Sequence, residues 1–156
     1  MKRILLVFVF SLITSFTFAQ DYSVEEIEVV QNLFGMEKKA IIEDNIDLTG
    51  VNSDAFWKLY DEYEAERKEL GKERIQLLYQ YTTKTGAVSP QQADKLLDDA
   101  VRLRTGEDKL ILNYTKRIAK ATNSVIGAQF YQIEHYISDG IRFSILDSID
   151  FVQDKK

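Results

Sequence analysis

Phe56-Trp57-Lys58-Leu59-Tyr60-Asp61-Glu62-Tyr63 opens a 26-residue stretch that runs on through Arg67, Leu70, Arg74 and Leu77 to Tyr81. Phe56, Tyr60, Tyr63, Leu70, Leu77 and Tyr81 keep an alternating four-three spacing, with Arg67 and Arg74 in its two gaps. That spacing draws one stripe along a long α-helix, and an apolar stripe needs a partner to lie against. The segment from Ala93 to Ala121 supplies it, with Ala93, Leu96, Leu97, Ala100, Leu103, Leu110, Tyr114 and Ile118 on one face and Glu107 on the same line. The pair reads as a long antiparallel helical hairpin. A rod of some 32 residues is about 48 Å long, so the fold is expected to be elongated.

Local signals set the helix ends. Asn52 or Ser53 starts the first arm, with Asp54 in its first turn and Val51 and Phe56 spaced as a hydrophobic staple. Ser89-Pro90-Gln91-Gln92 starts the second: Ser89 caps, Pro90 takes the first helical position, and Gln92 reaches back to close a capping box. Between them, Thr82 to Val88 is the turn. If it centres near residue 85, Tyr60 faces Ile111, Leu70 faces Val101, and Arg67 lies opposite Arg104 within a turn of Glu107 and Asp108. On that register Arg67 and Arg74 are snorkelling side chains whose heads pair with nearby acids.

Working outward, residues 21–45 read as a helix capped by Ser23, with Glu26 closing a capping box and Gly35 weakening its middle. After a break at Ala121 to Ser124, a last helix runs from about Val125 to Phe151. Its stripe is Ile126, Phe130, Ile133, Ile137, Ile141, Ile145, Ile149 and Val152. The fold class is therefore all-α, with four helices built around the hairpin in a single domain of residues 20–156.

Residues 1–19 stand apart. Lys2 and Arg3 precede an apolar run from Ile4 to Phe18, and Thr17-Phe18-Ala19 resembles a small-x-small cleavage site. The pattern is a secretory signal peptide cut after Ala19; a membrane span needs about 20 apolar residues, more than this run holds. The mature chain is then periplasmic or secreted, and loss of two basic residues moves its net charge from −5 to −7. That charge argues against nucleic acid and anionic membrane surfaces as partners. With no cysteine in the chain, neither disulfides nor a lipoprotein anchor are open to it, and packing must supply the stability.

Chemistry is sparse. A catalytic triad or metal site would rest on His135 alone, which a surface pairing with Asp139 explains. Carboxylate pairs such as Asp98-Asp99 and Glu107-Asp108 read as solvated helix faces. No cofactor, metal or reaction is implied, and an enzyme is not expected. The tyrosines, Tyr60, Tyr63, Tyr79, Tyr81, Tyr114, Tyr131 and Tyr136, read as core edge.

Two resemblances follow from these motifs. Leu48-Thr49-Gly50-Val51-Asn52 and Val88-Ser89-Pro90-Gln91-Gln92 resemble the twin LTxxQ motifs of the Spy/CpxP-like periplasmic proteins, with Asn52 standing for the first glutamine. That resemblance implies a helical hairpin tied to envelope stress and chaperoning. Phe56, Trp57, Tyr60 and Tyr63, then Ala128-Gln129-Phe130-Tyr131-Gln132-Ile133-Glu134, resemble the FWxxYxxY and ARFYQIE signatures of exported bacterial helical proteins, with Gln129 for the usual arginine. It implies a four-helix exported protein.

The expected function is binding of a protein partner, or of a second copy as a homodimer. The candidate binding or hairpin-seam residues are Phe56, Trp57, Tyr60, Tyr63, Arg67, Arg74, Phe130 and Tyr131.

Overall fold

The computed structural model describes residues 24–82, 87–149 and 152–154. The leader, its cleavage site and the Ser23 cap lie outside them. Four helices carry the fold: α1 (Val24–Asn45), α2 (Ser53–Thr82), α3 (Pro90–Ala121) and α4 (Ser124–Ser148). The protein is all-α. A minimal parallel bridge, β1 (Ala87–Val88) with β2 (Gln153–Asp154), ties the far end of the hairpin to the chain beyond α4. No helix among the described residues is long and apolar enough to cross a membrane.

α2, α3 and α4 each start where a side chain satisfies the first free amides. Asn52 Oδ1 accepts from the Ala55 amide, and Asn123 Oδ1 accepts from the Ile126 amide. At Ser89 the box is complete: its Oγ accepts from the Gln92 amide while Gln92 Oε1 accepts from the Ser89 amide. These contacts remove the exposed donors that otherwise fray a helix start. Between α1 and α2, Gly50 takes a positive φ of 77° and the Val51 amide donates to Leu48 O. That is a type II turn, whose third position asks for glycine.

α2 and α3 form the antiparallel hairpin, and α4 folds back along α3 after the two-residue corner Thr122–Asn123. α1 lies against α2 and α4. The core fills one end of the rod, where Ile42, Ile46, Phe56, Tyr60, Tyr63, Ile111, Tyr114, Ile118, Ile126 and Phe130 meet. Tyr60, Tyr63 and Tyr114 are thus full core residues and not its edge.

The hairpin register differs from a symmetric fold about residue 85. Leu70 packs on Gly106 and not on Val101, Glu66 accepts from the Tyr114 hydroxyl, and Arg74 reaches Glu107. These pairs centre the hairpin near residues 88–90, and Ala87–Val88 pairs with Gln153–Asp154 just before α3 begins. Leu97 of the expected stripe stands in solvent at 63% exposure with Ala100 exposed beside it, and Val101, on the side of α3 away from Leu103, is 54% exposed. The last helix also ends at Ser148, short of Phe151, and Val152 of its expected stripe is exposed.

The α3–α4 crossing is closest at Gly127. A Cβ there would lie 2.6 Å from Ala119 Cβ and 3.1 Å from the Thr115 carbonyl oxygen. Those neighbours are backbone and a methyl group, and neither can turn aside. Gly127→Ala is therefore expected to push the helices apart and cost about 1–3 kcal/mol in urea unfolding, despite alanine's better helix propensity.

Candidate functional site

The two signature segments meet inside the core. The Tyr63 ring lies edge-on to Phe130 with centroids 5.2 Å apart and to Tyr114 at 5.5 Å. Phe56 and Tyr60 extend the same aromatic row along α2, and Trp57 stands against both at 5.0 and 5.5 Å. Such edge-to-face pairs add about 0.5–1.5 kcal/mol each beyond their area. Phe56, Tyr60, Tyr63 and Phe130 are all at or below 1% exposure, so of the expected binding or seam residues these four are packed in the core. Trp57 is half-buried under the Lys39 ammonium, and Tyr131 is exposed, packed on His135.

Lys38, Glu64 and Glu134 were not among the residues expected to matter, yet they occupy the centre. The Lys38 ammonium, at 1% exposure, comes from α1 and sits between Glu64 of α2 and Glu134 of α4, 2.7 Å from Glu134 Oε2. It also lies over the Tyr63 ring at 4.6 Å. The Tyr63 hydroxyl donates to Glu134 Oε2 at 2.6 Å, and Arg67 Nε donates to both oxygens of Glu64. Two cations and two carboxylates thus close a balanced cluster away from water.

The two carboxyls respond differently. Burial pushes both up, but at Glu64 the Lys38 and Arg67 charges outweigh it and its pKa falls below the usual 4.5. At Glu134 burial wins over Lys38 and Tyr63, and its pKa rises. The geometry gives the reason: Arg67 engages both Glu64 oxygens, whereas Glu134 Oε1 accepts no hydrogen bond among the described residues. Burial, with Glu134 beside it, also drives the Tyr63 hydroxyl well above its ordinary value.

The arginines divide. Arg67 is buried, held by Glu64 and stacked at 4.9 Å on the Phe34 ring, so it does not snorkel to solvent. Its neighbours are set by α1, which the hairpin pattern alone leaves out. Arg74 is partly exposed and pairs with Glu107, which Arg142 of α4 also approaches. Arg142 in turn takes Asp139, the residue expected to pair with His135. Asn52, Ser89 and Gln92 serve as caps and nothing more.

A signal for the buried charges exists in the sequence. Lys38 sits four residues after Phe34 and four before Ile42; Glu134 sits four after Phe130 and three before Ile137. A charge at a stripe position in helices that must pack together marks a buried pair. No family model matches the chain, and neither does any curated protein or solved structure.

Removing one member of a buried pair strands the other. Glu64→Gln is expected to cost about 2–4 kcal/mol in urea unfolding at neutral pH, and Glu134→Gln less, because burial already opposes its charged form. The pH dependence separates them further. A depressed folded pKa at Glu64 gives stability that is present above 4.5 and lost as pH falls below it. A raised one at Glu134 gives stability that is present below 4.5 and lost as pH rises through its folded value. Urea midpoints across pH should therefore lose part of the acid limb in Glu64→Gln, and improve toward high pH, relative to wild type, in Glu134→Gln.

Proposed function

We propose that the protein is an exported helical protein-interaction protein of chaperone-like type, acting after leader cleavage. One observation supports a contact surface: the outer face of α4. Val125, Tyr136, Phe143 and Leu146 stand there at 60–68% exposure. Val125, Tyr136 and Phe143 follow each other at 11 and 7 residues, whole numbers of turns that place them on one line.

These are not misplaced core residues. The inner face of α4 is already filled by Ile126, Phe130 and Ile137. A helix apolar on both faces leaves one of them for a partner, and exposed apolar side chains interspersed with polar ones fit extended or unfolded polypeptide. Gln132 and Asp139 stand among them on the same face. The aromatic hairpin residues hold this helix in place without touching the client. An envelope-stress setting rests on the likeness to the Spy/CpxP-like motifs.

The test is light scattering from an aggregating client at equal molar ratio. Wild type is expected to slow aggregation, and Phe143→Ser with Leu146→Ser to lose most of that effect while keeping the wild-type helical circular dichroism. No slowing by wild type would end the chaperone reading; an unimpaired double variant would end the assignment to α4.

A further inference from the structure

The carboxylates of α4 bear on which polypeptides suit its outer face. Asp139, Phe143 and Asp147 follow at intervals of four residues, so each stands one turn from the next on the same side of the helix. All three are exposed. The Phe143 ring thus meets solvent between two carboxylates, with Leu146 exposed beside it.

Nothing on this helix cancels that charge. No lysine lies between Ser124 and Ser148, and the one arginine, Arg142, is shared among Glu107, Asp108 and Asp139. The Arg142 side chain is only 19% exposed, whereas that of Asp139 is 67% exposed, which leaves the carboxylate open to a second cation. Asp147 makes no ion pair among the described residues.

We propose that this face takes unfolded segments in which lysine or arginine alternates with apolar residues, and rejects acidic ones. The inference rests on the reading of α4 as the client surface. Charge complementarity names the partner, and the spacing refines it. Asp139 and Asp147 are about 12 Å apart along the helix axis. In an extended chain the side chains on one side recur every second residue, so two lysines four positions apart span about 13 Å. A segment of the form Lys-x-Leu-x-Lys therefore lays its ammoniums against the two carboxylates and its leucine on Phe143. An acidic segment meets like charge at both places, which is disfavoured. The net charge of −5 draws basic segments in from a distance as well.

Fluorescence anisotropy with two labelled peptides tests it: one of Lys-Ser-Leu-Ser repeats, the other with glutamate for each lysine. The basic probe is expected to bind about tenfold or more tighter than the acidic one, with the gap closing in high salt. Asp139→Asn with Asp147→Asn is expected to bring the two affinities within about twofold of each other. Asp94→Asn with Asp98→Asn removes the same charge from exposed positions of α3 and is expected to leave the gap as in wild type. All four positions are exposed, so folding should survive, as circular dichroism would verify. Equal binding of both probes by wild type, or a gap that survives in the α4 variant, would overturn the charge preference and leave the α4 surface standing. Binding of neither probe would end the surface reading and this inference with it.

Discussion

The Lys38 ammonium between two carboxylates is the constraint on which the packing depends. A lone buried ammonium would cost several kcal/mol, and each carboxylate as much again. Lys38 enters from α1, Glu64 from α2 and Glu134 from α4, so none of the three is satisfied unless all three helices are seated. Apolar contacts alone would let α1 slide along the bundle. The cluster does not allow it, because a shift by one turn carries the ammonium about 5.4 Å from its partners. The ionic contacts therefore specify where α1 sits, while the aromatic row beside them supplies most of the burial.

The two glutamates are not equivalent within that constraint. Arg67 and Lys38 together hold the Glu64 carboxyl below its usual range, and Arg67 ties it to its own helix. Glu134, pushed up by burial, accepts from Tyr63 and so joins the ionic cluster to the aromatic row. Tyr63 is the hinge between the two: its ring packs on Phe130 and Tyr114, its face lies under Lys38, and its hydroxyl binds Glu134. Polar and apolar cores share one residue, and the loss of either is felt by both.

What was legible in the sequence was what local chemistry decides. The Ser89–Gln92 box, the Asn52 cap and the three-and-four stripes set three helix starts and the antiparallel pairing of α2 with α3. The register was not legible, because a stripe fixes which residues share a face and leaves open how far one helix slides along the other. A stripe also shows which residues share a face without showing how far the partner extends. Leu97 shares the expected stripe with Leu103 and Leu110 yet stands exposed, and Val101 turns to the opposite side of α3. The buried charges are hidden from a two-helix reading for a related reason. Arg67 looks like a surface residue in a two-helix hairpin, and only α1, through Phe34 and Lys38, closes the site around it.

The same geometry decides where function can reside. Phe56, Trp57, Tyr60 and Tyr63 on α2 and Phe130 and Glu134 on α4 stand far apart in the chain but form one packed unit. Residues so placed are required by the fold whatever the protein binds, so their pattern in the sequence speaks for architecture. Side chains outside that unit are free of this demand, and Tyr131, Tyr136, Phe143 and Leu146 of α4 stand exposed among them. Most of the aromatic motif points to the interior, with Tyr131 its exposed member.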